Sequence, residues 1–111
     1  MVFFYVYHEF VEGKAPEFFA FIQSLKDEDW AKMSEKILAL DMWNHSFAPC
    51  GMEGPVFCCW ESKADISCEE FQKFIDGPDG PAPGMFVNKV HKVLDGFPTP
   101  YPSKFATEGR D

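Results

Sequence analysis

The segment Val2-Phe3-Phe4-Tyr5-Val6-Tyr7 is apolar or aromatic at every position, and it constrains the fold more than any other stretch. As a strand it offers Val2, Phe4 and Val6 to one side and Phe3, Tyr5 and Tyr7 to the other. A small antiparallel sheet usually keeps one face wet and alternates apolar with polar residues. Both faces of this strand need cover, and the helical segments that follow suffice for one. A partner subunit or a bound apolar molecule is expected on the other.

The first strand runs to about Phe10, and Glu12-Gly13-Lys14 turns it. Pro16 suits the first turn of a helix, and Phe18, Ile22 and Leu25 recur at helical spacing, with Phe19 and Phe21 on the flanks. Asp27 is placed to cap a second helical piece carrying Trp30, Met33, Ile37 and Leu40, and Glu28 and Asp29 complement its dipole. Whether the two pieces form one kinked helix is left open. A second strand over about Met42 to Ala48 turns Trp43, His45 and Phe47 to one face. Pro49 to Pro55 is turn-like, and a third strand spans Val56 to Glu61. Ser67 and Glu70 form a capping box ahead of a helix with Phe71, Phe74 and Ile75. Asp76 to Gly84 is a stiff Pro- and Gly-rich loop, and a fourth strand covers about Met85 to Leu94. Prolines at 98, 100 and 102 mark an extended arm over 96–111, able to reach a partner, after a domain over 1–95.

Strand, helix, strand, strand, helix, strand is the ferredoxin-like split βαβ order. The expected class is α+β, with a four-stranded antiparallel sheet and the helices on one face. Phe18, Phe21, Phe71 and Phe74 then cover that face, while Phe3, Tyr5 and Tyr7 look away from it.

Charge and cysteine usage narrow the partners. A net charge of −8, with ten Lys and Arg and no basic run, excludes nucleic acid and anionic membrane. The apolar N-terminus lacks the basic region and cleavage site of a secretory signal, and no stretch reaches the length of a membrane span. A cytoplasmic chain is expected, with Cys50, Cys58, Cys59 and Cys68 as reduced thiols whose spacing fits no zinc pattern.

Four strands of about five residues present roughly 300 Å² on the open face, as large an apolar patch as most monomers carry. Two such sheets facing each other would form a barrel with the helices outside. The run Val56-Phe57-Cys58-Cys59-Trp60-Glu61-Ser62-Lys63 leads into Ser67-Cys68-Glu69-Glu70-Phe71 and then a strand holding Val90 and Val93. Over Val2 to Leu94 this pattern resembles the dimeric α/β-barrel superfamily and is similar to a small uncharacterised branch of it. The resemblance implies a homodimer with an interior pocket. Members include cofactor-free monooxygenases, haem-degrading enzymes, lactone isomerases and proteins of unknown role, so no single reaction follows.

No motif specific to a catalytic reaction stands in the chain. His45 and Glu61 are the candidate acid–base pair if strand register puts them on one face. His8, His45 and His91 would need to converge to hold a metal, and nothing in their spacing forces this, so no metal or cofactor is expected. Cys58 or Cys59 would need a thiolate-stabilising neighbour, for which His45 is the candidate. The residues most able to line a barrel interior are Tyr5, Tyr7, Trp43, Asn44, His45, Phe47, Trp60 and Phe86. Tyr5 and Tyr7 stand out, because a buried hydroxyl needs a partner. The leading expectation is a dimer enclosing a small, largely apolar, fatty-acid-like or aromatic molecule. A cofactor-free monooxygenase or isomerase is the first alternative, and a structural dimer filled by its own side chains is the second.

Overall fold

The computed structural model describes residues 1–105. Its elements are β1 (Val2–Phe10), α1 (Ala15–Ser24), α2 (Asp27–Ala39), β2 (Met42–Pro49), β3 (Val56–Ser62), α3 (Cys68–Asp76) and β4 (Phe86–Lys92). The strands form one sheet in the order β2-β3-β1-β4, and every neighbouring pair is antiparallel. The protein is α+β, with the strand order of a ferredoxin-like split βαβ unit.

Local chemistry explains the helix ends. Leu25 adopts an extended conformation, so the first helical stretch breaks into α1 and α2. Lys26, rather than Asp27, occupies the cap position of α2, where Asp29 Oδ2 accepts a 2.9 Å hydrogen bond from the Lys26 amide. At α3 the capping box forms as its sequence predicts. Ser67 Oγ accepts from the Glu70 amide, and Glu70 Oε1 accepts from the Ser67 amide, each at 3.1 Å.

One face of the sheet carries the core. Phe4 and Val6 of β1, Val56, Cys58 and Trp60 of β3, and Phe71 and Ile75 of α3 are buried together. The Phe4 and Phe71 rings stack with centroids 4.3 Å apart. A second aromatic group joins Phe18 of α1 to Phe10, Phe47 and Phe86 at 5.2–5.8 Å. Phe21 does not contribute as expected, because it points to solvent. Helix α2 buries none of its residues and leaves Trp30 and Met33 exposed, as is Leu40 at its C-cap. Cover of this face therefore falls mainly on α3 and on Phe18.

An irregularity in β2 redistributes its side chains. The β2–β3 register shifts between Asn44 and Ser46, pairing Trp43 with Glu61 and Phe47 with Cys58. The extra residue breaks the alternation, so Trp43 stays on the open face while Phe47 turns to the helix side. The expected common face for Trp43, His45 and Phe47 is corrected by this bulge.

After β4 the arm turns back on its own chain. Tyr101 stacks on the His45 ring at 5.0 Å and 4°, and Lys104 Nζ sits 4.5 Å from the centroid of Trp43. His45 is thus sandwiched between Tyr101 and Phe3, and Phe3 is buried although it faces away from the helices. The arm covers one end of the open face where a reach toward a partner was expected. Its final stretch, 106–111, lies outside the described residues.

Candidate functional site

The open face divides into a sealed end and an uncovered end. Glu61 of β3 is the centre of the sealed end and is wholly buried. Its Oε1 accepts from His45 Nε2 and from the Lys104 amide, both at 2.8 Å, and its Oε2 accepts from the Ser103 hydroxyl. A carboxylate without water needs such donors, and charge-assisted hydrogen bonds of this kind are the strong ones. The expected pairing of His45 with Glu61 is therefore present geometrically. The register places Trp43 opposite Glu61, and the bulge lets His45 come back to the same carboxylate. The pair is suited to exchanging a proton, but the arm occupies the remaining carboxylate sites. Cys59 is buried beneath this layer, and its thiol is pushed up to about 11, chiefly by burial.

The uncovered end is a cleft of about 510 Å³ lined by Tyr5, Val6, Tyr7, Phe57, Lys89 and His91. Antiparallel pairing builds it in rows. Tyr7 stands between Phe57 of β3 and Lys89 of β4, and Tyr5 between Cys59 and His91. The Tyr7 and Phe57 rings meet edge-on at 5.4 Å, and Lys89 Nζ lies 5.9 Å from the Tyr7 centroid. Tyr5 and Phe57 remain 46% and 43% exposed, and Val87 at the rim is 52% exposed. Partial burial, then Cys59 and Tyr101 nearby, holds the Tyr5 phenol above its ordinary value. Glu9, paired with Val87, stands on this face beyond Tyr7.

The residues expected to line an interior are split by the pleat and the bulge. Tyr5 and Tyr7 line the cleft, while Trp43 and His45 lie on the same face under the arm. Asn44, Phe47, Trp60 and Phe86 belong to the opposite, helix-covered face, which corrects their expected placement. Asn44 pairs with Trp60 across β2 and β3. Trp60 is packed 6.1 Å from Phe71 and 5.5 Å from Phe74, with its indole Nε1 unpartnered among the described residues. Phe86 packs on His8, Phe10 and Phe18. Phe57 and Lys89, which the sequence reading did not single out, take the places beside Tyr7. The signal was available only through register, because Phe57 reaches Tyr7 once β1 and β3 are aligned.

The three histidines do not converge. His8 lies on the helix side of β1 and is wholly buried, whereas His45 and His91 belong to the open face. Among the described residues no group of three His, Cys, Asp or Glu side chains is placed to hold a metal ion. Cys58, rather than Cys59, has a histidine partner, and that partner is His8 instead of His45. His8 Nε2 and Cys58 Sγ are 3.1 Å apart, and His8 Nδ1 meets Asn88 Oδ1. An amide oxygen only accepts, so Nδ1 carries the proton and Nε2 accepts from the thiol. Asn88 in turn donates to Asp76 Oδ1 at 2.9 Å. The line from Cys58 through His8 and Asn88 to Asp76 has the residue types of a nucleophile relay. Burial decides against that use, since it pushes the thiol up to about 12 and the imidazole down. The neutral pair joins β1, β3 and β4 and tethers them to the end of α3.

No helix among the described residues is long and apolar enough to cross a membrane. No curated protein and no solved structure matches the chain. The chain belongs to a family described as a domain of unknown function (DUF8652), whose match over residues 3–99 takes in all four strands, all three helices and the start of the arm.

Proposed function

Starting from membership of a domain family of unknown function, we propose that this chain binds a small, largely apolar molecule on the uncovered half of its open sheet face, within a pair of chains laid sheet to sheet. One observation carries the reading. The arm seals the end of the face that holds Phe3, Cys59 and Glu61, yet it leaves the aromatic cleft of Tyr5, Tyr7 and Phe57 uncovered. A fold that spends a whole segment covering one end of this face leaves the other end accessible for use. Exposed apolar area is unfavourable by about 25 cal/mol per Å², so an occupant or a second sheet is stabilised there. A two-fold pairing in the manner of a dimeric α/β barrel would close the cleft from above. A cytoplasmic setting goes with this reading, in which all four cysteines are free thiols.

Native mass spectrometry and organic extraction of the purified protein, followed by titration with octanol and naphthalenemethanol, test the proposal. Dimers, and shifts of the Tyr5, Tyr7 and Phe57 ring resonances on titration, are the expected results. A monomer that carries no ligand and binds neither these alcohols nor the corresponding acids overturns it.

A second reading is favoured by the 2.8 Å contact of His45 with Glu61, which suits a proton-transfer role in a cofactor-free oxygenase or isomerase. It requires the arm to leave, because Ser103 and Lys104 occupy the carboxylate. Oxygen uptake or a spectral change with quinol substrates, appearing when the arm is removed and lost in His45→Gln, is its signature. Inertness of the armless protein ends it.

A further inference from the structure

The cleft is lined by apolar and aromatic residues of β1 and β3 and, on β4, by Lys89 and His91. Lys89 and His91 are two residues apart on β4, so both project to the open face, opposite Tyr7 and Tyr5 respectively. This placement runs against the charge of the molecule as a whole, which is formally −8. The neighbouring Lys92 pairs with Phe4 and so belongs to the other face, where its Nζ is held 3.0 Å from Asp65. Lys89 forms no ion pair among the described residues; its ammonium lies over the Tyr7 ring instead. Of the acidic residues on the same face, Glu61 is held under the arm, and Glu9 is aligned with Val87 rather than with Lys89.

Resting on the binding role proposed above, we infer that the occupant of this cleft is an organic acid, its carboxylate meeting Lys89 and His91 and its apolar body lying on Phe57, Tyr5 and Tyr7. A single ammonium beside an imidazole matches one carboxylate in charge and in number of donors. Tyr5 stands on the row of His91, and its ring forms part of the wall beside the basic pair. The edge-on Tyr7–Phe57 pair provides a ring-lined wall on which either an aromatic ring or an acyl chain fits. A neutral molecule of the same shape would leave the Lys89 ammonium without a counter-charge.

The test pairs each acid with its neutral alcohol: octanoate against octanol, and naphthoate against naphthalenemethanol. Affinities are measured by calorimetry on wild type, Lys89→Gln and Lys89→Arg. Lys89 is exposed, so both variants are expected to fold, and thermal melts verify it. Each acid that fits is expected to bind at least about tenfold more tightly than its alcohol, with the preference falling in high salt. Lys89→Gln removes the preference and Lys89→Arg keeps most of it. If alcohols bind as well as acids, or if Lys89→Gln changes nothing, the acid assignment is overturned while the binding role stands. If no probe binds, the binding role itself fails and takes the assignment with it.

Discussion

His45 Nε2 lies 2.8 Å from Glu61 Oε1, and the Lys104 amide meets the same oxygen at 2.8 Å, so one buried carboxylate joins the bulge of β2 to the arm. Glu61→Ala removes the acceptor for three donors at once. Each enclosed donor left unpaired costs about 1–3 kcal/mol, so a clear fall in melting temperature is expected. The arm should loosen with it. Hydrogen exchange of the Lys104 amide reads this directly and is expected to accelerate at least about tenfold. Ser103→Ala, which removes one of the three donors to the buried carboxylate, should have a smaller effect, about 1.5–3 kcal/mol. Unchanged exchange at Lys104 in Glu61→Ala would show that the carboxylate does not hold the arm.

The buried His8 gives a prediction about pH. Burial lowers its folded-state pKa, so the unfolded chain binds a proton at a pH where the folded chain does not. Stability contributed by neutral His8 is therefore present above the unfolded value of about 6.5 and is lost as pH falls through the lower folded value. Denaturant melts at about pH 7 and about pH 5 should show a decline that is shallower in His8→Phe. The variant is less stable overall, so the comparison is of slopes. In the wild type, the imidazole resonances of His8 should also stay in the neutral form to below the ordinary histidine range. Protonation of His8 in the folded protein near pH 6.5 would contradict the burial argument.

How much of this was legible in the sequence depends on which physical signal carried each feature. The capping box at Ser67 and Glu70 and the doubly apolar run from Val2 to Tyr7 are local signals, and both gave the correct local structure. The strand order followed from element order alone. Side-chain direction along β2 was not legible, because a bulge is a one-residue event with no fixed signature. That residue sent Phe47 into the core and left His45 on Glu61. Trp60 and Phe86 were misplaced for a related reason, since aromatic residues suit a core and a cavity equally until the register is known. The prolines mark the arm as an extended segment in sequence, whereas turns and bends recur over 95–105, and its return onto Glu61 depends on Ser103 and Lys104, which carry no signal by themselves.

Thiol chemistry separates Cys50 from Cys58 and Cys59. Cys50 is exposed, whereas Cys58 and Cys59 are buried with thiols pushed up to about 12 and about 11. The thiolate is the reactive form, so both should resist alkylation at neutral pH in the native state. Iodoacetamide followed by mass spectrometry should modify Cys50 first, and Cys58 and Cys59 only in denaturant. Fast native labelling of Cys58 would mean that the His8 contact activates the thiol instead of holding it neutral.

Phe57 and Phe71 separate the use of the open face from the stability of the fold. Phe57 is 43% exposed at the cleft, while Phe71 is wholly buried against Phe4 with rings 4.3 Å apart. Phe71→Ala opens a cavity in the core and should cost about 3–5 kcal/mol. Phe57→Asp puts a charge on a half-open surface, where the fold should lose only about 1 kcal/mol. Its effect on the proposed association and binding should be far larger, because a carboxylate in the centre of the proposed sheet-to-sheet contact would be desolvated or left facing its symmetry copy. Light scattering after size exclusion is expected to report a monomer for Phe57→Asp, and octanoate titration is expected to give no shifts at Tyr5 and Tyr7. A variant that keeps its melting temperature, still dimerises and still binds would place both activities on another surface.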